Sequence, residues 1–168
     1  MLIITGTMGA GKASVLDEAS DILAKRQIVP AAIDVDALGL AHLPSGDCND
    51  AVMYANLWSV CKNYAAIGVQ RFLLARAIED RAQLERCRDI VPTTNTVVCR
   101  LTATVAAMKQ RVKTRETGIL QREYVARVAK LNAILDRARL EDFIVANGNH
   151  SLSDVAWEML IKAGWISN

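Results

Sequence analysis

The chain has 168 residues, 52% of them apolar, and its lysines and arginines number 20 against 18 acids. That length suits one domain, spanning residues 1–168, with a core large enough to fold without disulfides or a structural metal. The near balance of charge argues against a nucleic-acid or membrane-surface partner and for a small-molecule one. No apolar run reaches the length of a membrane span, and the first residues lack a basic leader, so a cytoplasmic protein is expected. Cys48, Cys61, Cys87 and Cys99 are widely spaced with no C-x-x-C pair and read as ordinary reduced thiols.

In chain order, short apolar runs alternate with helical stripes, the mark of an α/β protein with a mainly parallel sheet. Residues 2–5 read as the first strand, a glycine-rich stretch follows, and Val15, Leu16, Ala19, Ile22 and Leu23 then recur at helical spacing. A second strand is expected over 31–35, with Pro30 marking it as a strand at the sheet margin. The polar stretch 44–50 reads as a loop. A helix after it carries the stripe Tyr54, Leu57, Trp58, Cys61 and Tyr64. Strands are expected over 70–75, 96–101 and 143–146. Between the last two lie the stripes Val105, Met108, Val112 and Tyr124, Val128, Leu131, Leu135, Ala138. Leu152, Val155, Met159, Leu160 and Ala163 form a closing helix, opened by Ser151 and Asp154 as a capping pair. Ligands of such sheets bind beyond the carboxyl ends of the strands, which directs attention to the residue just after each one.

After the first strand runs "GTMGAGKAS", residues 6–14. Gly6, Gly11 and Lys12 match the G-x-x-x-x-G-K spacing of a phosphate-binding P-loop, in which backbone N–H groups and the following helix N-terminus converge on an anion. Gly6, Thr7, Met8, Gly9, Ala10, Gly11, Lys12, Ala13 and Ser14 are therefore the candidate nucleotide-binding residues. The motif's final hydroxyl, which ordinarily ligates magnesium, is replaced by Ala13. Phosphate binding is expected to survive, with weaker magnesium affinity and turnover. Ser14 reads as an α-phosphate contact.

"AAIDVDALG" brings Asp34 and Asp36 to the end of the second strand, with side chains on the same face if the strand continues. One can act as general base on an acceptor hydroxyl while the other orients it or holds magnesium through water; the bland alternative is a helix N-cap. No Walker B acid follows the third strand. Arg76 stands there instead, either facing an acceptor or pairing with Glu79. Arg111 and Arg115, four apart on one helical face before Gly118, suit either a lid that closes over a transferring phosphoryl group, within residues 108–122, or a solvated surface.

With these features in this order, the chain resembles the P-loop nucleoside and small-molecule kinases, nearest to the branch of chloramphenicol phosphotransferase and adenylylsulfate kinase. "VDAL" at 35–38 is similar to the "VDSL" that carries the proposed base of the chloramphenicol enzymes, which gives that role to Asp36. "EDFIVANGNHSLSDVAWEML" resembles their last strand and helix, and it implies an adenine contact at Asn147 beside Gly148. The resemblance implies a three-layer fold with a five-stranded parallel sheet in the order 2-3-1-4-5, ATP and magnesium as cofactors, and transfer of a γ-phosphoryl group to a small hydroxylated acceptor. Lys12, Asp34, Asp36, Arg111 and Arg115 are the catalytic candidates, Asp34 the metal candidate, and Asp36 and Arg76 the acceptor candidates. A non-catalytic nucleotide-binding protein with weakened magnesium binding is the rival that Ala13 favours. A nucleoside triphosphatase acting on a macromolecule is disfavoured by the missing Walker B acid.

Overall fold

A computed structural model describes residues 1–39, 49–115, 117–148 and 150–167. Five parallel strands, β1 (Leu2–Thr5), β2 (Pro30–Asp34), β3 (Arg71–Ala75), β4 (Val97–Thr102) and β5 (Phe143–Ala146), form one sheet in the order β2-β3-β1-β4-β5. The helices are α1 (Lys12–Lys25), α2 (Asn49–Ala66), α3 (Arg81–Ile90), α4 (Val105–Arg115), α5 (Gly118–Ala138) and α6 (Leu152–Lys162), with a 3-10 turn at Asp36–Gly39. The expected fold and strand order are those observed.

β1 is buried along its whole length because both faces are covered. Leu2 and Ile4 enter a core with Leu73, Cys99 and Leu101 under α1, α4, α5 and α6. Met1 and Ile3 enter a second core with Phe72, Leu74 and Val98 under α2 and α3. Each large apolar side chain removed from water here stabilises the fold by roughly 1.5–3 kcal/mol. In register, Leu2 lies between Leu73 and Val97, and Thr5 beside Arg100, so the carboxyl ends of the strands form one edge.

The α1 stripe Val15, Leu16, Ala19, Ile22 and Leu23 is buried throughout. In α2 the buried face is turned toward Met53, Tyr54, Leu57 and Cys61, whereas Trp58 and Tyr64, expected in the core, are exposed. Trp58 is instead covered by the Lys62 ammonium 4.9 Å from its ring. Val105 and Leu152 are likewise exposed, each being the first residue of its helix, where the core has not yet been reached. Residues 44–48 of the expected loop lie outside the described residues, and Asn49 and Asp50 already belong to α2. Ser151 caps α6 as expected, its hydroxyl accepting from Asp154 N–H at 3.1 Å.

Both margins of the sheet are modified. β2 begins at Pro30, which has no N–H to offer, and on β5 the Lys162 ammonium donates to the Ile144 carbonyl at 3.2 Å.

Among the described residues, no helix is long and apolar enough to cross a membrane. Cys61, Cys87 and Cys99 are free and buried; Cys48 lies outside the described residues.

Candidate active site

The glycine loop leaves β1 at Gly6 and enters α1 at Lys12. Gly9 and Gly11 have φ of 77° and 95°, the left-handed region that a β-carbon disfavours. The first ladder bond of α1 is Val15 N–H to Gly11 O at 2.9 Å, and Gly11 supplies no side-chain cap. The N–H groups of Lys12, Ala13 and Ser14 therefore lie ahead of the ladder, at the positive end of the helix dipole.

These groups line an open cleft of about 260 Å³ bounded by Thr7, Met8, Gly9, Gly11, Lys12, Ala13 and Ser14 on the loop, Asp34 and Asp36 beyond β2, and Arg111, Val112 and Arg115 on α4. The Lys12 ammonium folds back to Gly6 O at 3.0 Å. Burial pushes it below the ordinary lysine range, and Arg115 and Arg76 push the same way, against the opposing pull of Asp36 and Asp34. A phosphate group placed here would relieve that imbalance.

Asp34 and Asp36 face the same cleft, with Asp36 N–H donating to Asp34 Oδ1 at 3.1 Å. Burial, then the neighbouring Asp36 charge, pushes the Asp34 carboxyl up. Asp36 opens the 3-10 turn with its carboxylate largely exposed. Behind it, Arg76 is only 8% exposed and donates to Asp36 Oδ1 at 3.2 Å, with its other terminal nitrogen 3.5 Å from Asp50. Met53 sulfur and the Tyr54 ring complete its surroundings. The pairing with Glu79 does not occur; Glu79 binds Arg127 at 3.0 Å.

Arg111 is committed to backbone, donating to Gly9 O at 3.2 Å and Asn147 O at 2.8 Å. Arg115 lines the cleft near enough to Lys12 to lower its proton affinity. Asn147 is buried after β5; its amide donates to Ala10 O at 2.8 Å and its N–H to Thr102 O at 2.7 Å. Neither the Asn147 clasp on the loop nor the Asp50, Met53 and Tyr54 setting of Arg76 has a signature in the spacing of the sequence.

Magnesium retains several waters and takes one or two carboxylates plus phosphate oxygens. Ala13 offers no side-chain oxygen, whereas the like-charged Asp34 and Asp36 would be relieved by a cation. Among the described residues no cluster of three or more His, Cys, Asp or Glu side chains forms a metal site unaided, so phosphate oxygens would have to complete the shell. The site fits a hydrated magnesium ion on its carboxylate side.

No family model matches the sequence, and no curated protein is similar to it in sequence. Solved structures do match. An unliganded sugar kinase from Janibacter superposes with a TM-score of 0.67 at 14% identity, covering 97% of this chain and 93% of that one. A gluconokinase from Sinorhizobium meliloti gives 0.65 at 15%, with 97% and 90% covered. The adenylylsulfate (APS) kinase of Mycobacterium tuberculosis, solved with AMPPNP and APS, gives 0.63 at 15%, with 97% and 96% covered. The architecture is the P-loop kinase fold, shared with small-molecule kinases that include the adenylylsulfate branch.

Proposed function

We propose that the protein is an ATP-dependent phosphotransferase that moves the γ-phosphoryl group to a hydroxyl of a small molecule. The observation that carries this reading is the single cleft shared by the open N–H groups of α1, Lys12, the Asp34 and Asp36 pair, and Arg115. The likeness to sugar, gluconate and adenylylsulfate kinases supports the same class.

In this reading the residues of the glycine loop, from Gly6 to Ser14, hold the phosphates through backbone N–H groups and Lys12, with Ser14 at the α-phosphate. The acceptor oxygen attacks the γ-phosphorus, the bond to the β-bridging oxygen breaks, and Asp36 takes the hydroxyl proton. Asp34 would hold magnesium through water, and the ion would supply charge neutralisation on the phosphates. Arg115 faces the charge that builds on the transferring group, within a lid of residues 108–122. Arg111 and Asn147 contribute by holding the loop. Arg76 orients Asp36 from behind and serves the acceptor side through it.

Ala13 favours a second reading, a nucleotide-binding protein whose magnesium dependence and turnover are weak. The test is thermal unfolding with ATP, GTP and adenosine, each with and without magnesium, for the wild type and Lys12→Ala. A ligand bound only by the folded state at a hundredfold excess over Kd stabilises by about 2.7 kcal/mol. A magnesium-dependent shift with ATP, lost in Lys12→Ala, is the expected result. A shift that ignores magnesium selects the second reading, and no shift with any nucleotide ends both.

A further inference from the structure

The cleft is built for phosphate along the glycine loop and α1. The N–H groups that open α1 and the Lys12 ammonium supply donors and positive charge, and the lining residues include no aromatic ring and no side-chain amide on which a base would stack or be read. Its volume of about 260 Å³ lies below the roughly 300–1,000 Å³ of cavities that enclose a drug-sized molecule. A triphosphate chain fits within it, and a nucleoside attached to that chain extends outside.

The second observation lies after β5, where the resemblance to P-loop kinases implies an adenine contact. Asn147 is 7% exposed and is turned onto the glycine loop, its amide nitrogen donating to Ala10 O at 2.8 Å. Its own N–H donates to Thr102 O at 2.7 Å, and its carbonyl accepts from Arg111 at 2.8 Å. The other terminal nitrogen of Arg111 donates to Gly9 O at 3.2 Å. Both side chains thus hold the backbone that holds the phosphates. A base that drew the Asn147 amide to itself would loosen the loop under its own triphosphate. Beside it, Gly148 has nothing within 4 Å of the place its β-carbon would take, so a base resting there faces solvent. Sites that select a ligand group by orders of magnitude do so through buried hydrogen bonds to that group, and these two positions spend theirs on the loop.

We infer that the phosphoryl donor is recognised as a triphosphate, with base and ribose adding little, so that GTP, CTP and inorganic tripolyphosphate occupy the site as ATP does. This rests on the kinase reading of the cleft and deepens it by naming the donor class. With tripolyphosphate the acceptor oxygen attacks a terminal phosphorus, the bond to its bridging oxygen breaks, Asp36 takes the hydroxyl proton, and pyrophosphate leaves in the place of ADP.

Calorimetry at one saturating magnesium concentration tests ATP, GTP, CTP, tripolyphosphate and adenosine on the wild type, Lys12→Ala and Arg111→Ala. On the wild type the four triphosphates should share one Kd to within about fivefold, or about 1 kcal/mol, and adenosine should not bind at millimolar concentration. Tripolyphosphate should displace ATP one for one, and Lys12→Ala should weaken all four together, which separates this site from attachment to surface lysines. Arg111→Ala should lower all four affinities by a common factor, because it loosens the loop; the wild-type order decides alone if that variant does not fold. ATP tighter than any of the other three by more than the stated factor, a loss in Arg111→Ala confined to ATP, binding of adenosine, or tripolyphosphate bound together with ATP overturns the inference and leaves the kinase reading standing. Binding by none of the four strikes the kinase reading itself, and the inference with it.

Discussion

The side-chain amide of Asn147 occupies the space that a β-carbon on Gly11 would need, and from there it donates to Ala10 O at 2.8 Å. The loop after β5 thus grips the glycine loop from outside, and the grip is possible because residue 11 has no side chain. Asn147→Ala removes the donor and leaves Ala10 O unpaired, at a cost of about 1–3 kcal/mol in stability. If Asn147 acts as a clasp, ATP, GTP and inorganic tripolyphosphate should all lose about tenfold in affinity, because each needs the loop's shape. Calorimetric titration of the three decides the matter: a loss confined to ATP would make Asn147 a base contact instead.

Restoring the hydroxyl at position 13 should change the metal response more than the phosphate response. Ala13→Ser is expected to raise magnesium-dependent ATP affinity by about tenfold or more while affinity without metal stays near that of the wild type. Titrations at limiting magnesium provide the comparison. Equal metal dependence in both proteins would mean that the ion is held wholly from the carboxylate side.

The two charged groups facing each other across the cleft leave opposite signatures in stability against pH. Asp34 has its carboxyl raised by burial and Asp36, so the folded state binds its proton more tightly, and stability falls as pH rises from the ordinary value of 3.8 through the raised one. Asp34→Asn should therefore be the more stable protein at neutral pH without nucleotide, with the difference vanishing in acid. Lys12 is lowered, so the unfolded state binds its proton more tightly and stability rises with pH until the ordinary value of 10.5 is passed. Lys12→Met should exceed the wild type in stability at neutral pH, converge with it in alkali, and lose stabilisation by ATP. Urea melts across pH, with and without ATP, test both signs.

Burial pushes the Cys61 and Cys87 thiols up to about 11 and Cys99 to about 12. Their thiolate fraction at neutral pH is small and their access smaller. In a Cys48→Ser protein, alkylation by iodoacetamide should therefore track global unfolding and slow further when ATP is bound. Rapid labelling of the native protein at pH 8 would contradict this.

The parts of the site legible in the sequence are those whose geometry is local. The glycine loop, its strand and its helix follow from spacing and period over residues 2–25, and the acids from the strand that ends at Asp34. The Asn147 clasp joins residues separated by 137 positions, and nothing in either neighbourhood announces the other. Arg76 left two partners open in the sequence; the pairing of β2 with β3 brought Asp36 to it, the first turn of α2 brought Asp50, and Arg127 took Glu79. Trp58 and Tyr64 share the helical spacing of the expected stripe, but the buried face of α2 is rotated toward Met53, along Met53, Tyr54, Leu57 and Cys61, which leaves both aromatics at its edge.

Pro30 and Lys162 stand at opposite margins of the sheet, one withholding a donor and the other occupying an acceptor. A parallel sheet with open margins invites a strand from another chain, the first step toward fibrillar association. With β2 and β5 blunted in this way, crowding should favour contacts through helical surfaces over growth of the sheet, and concentrated solutions should resist amyloid-type seeding.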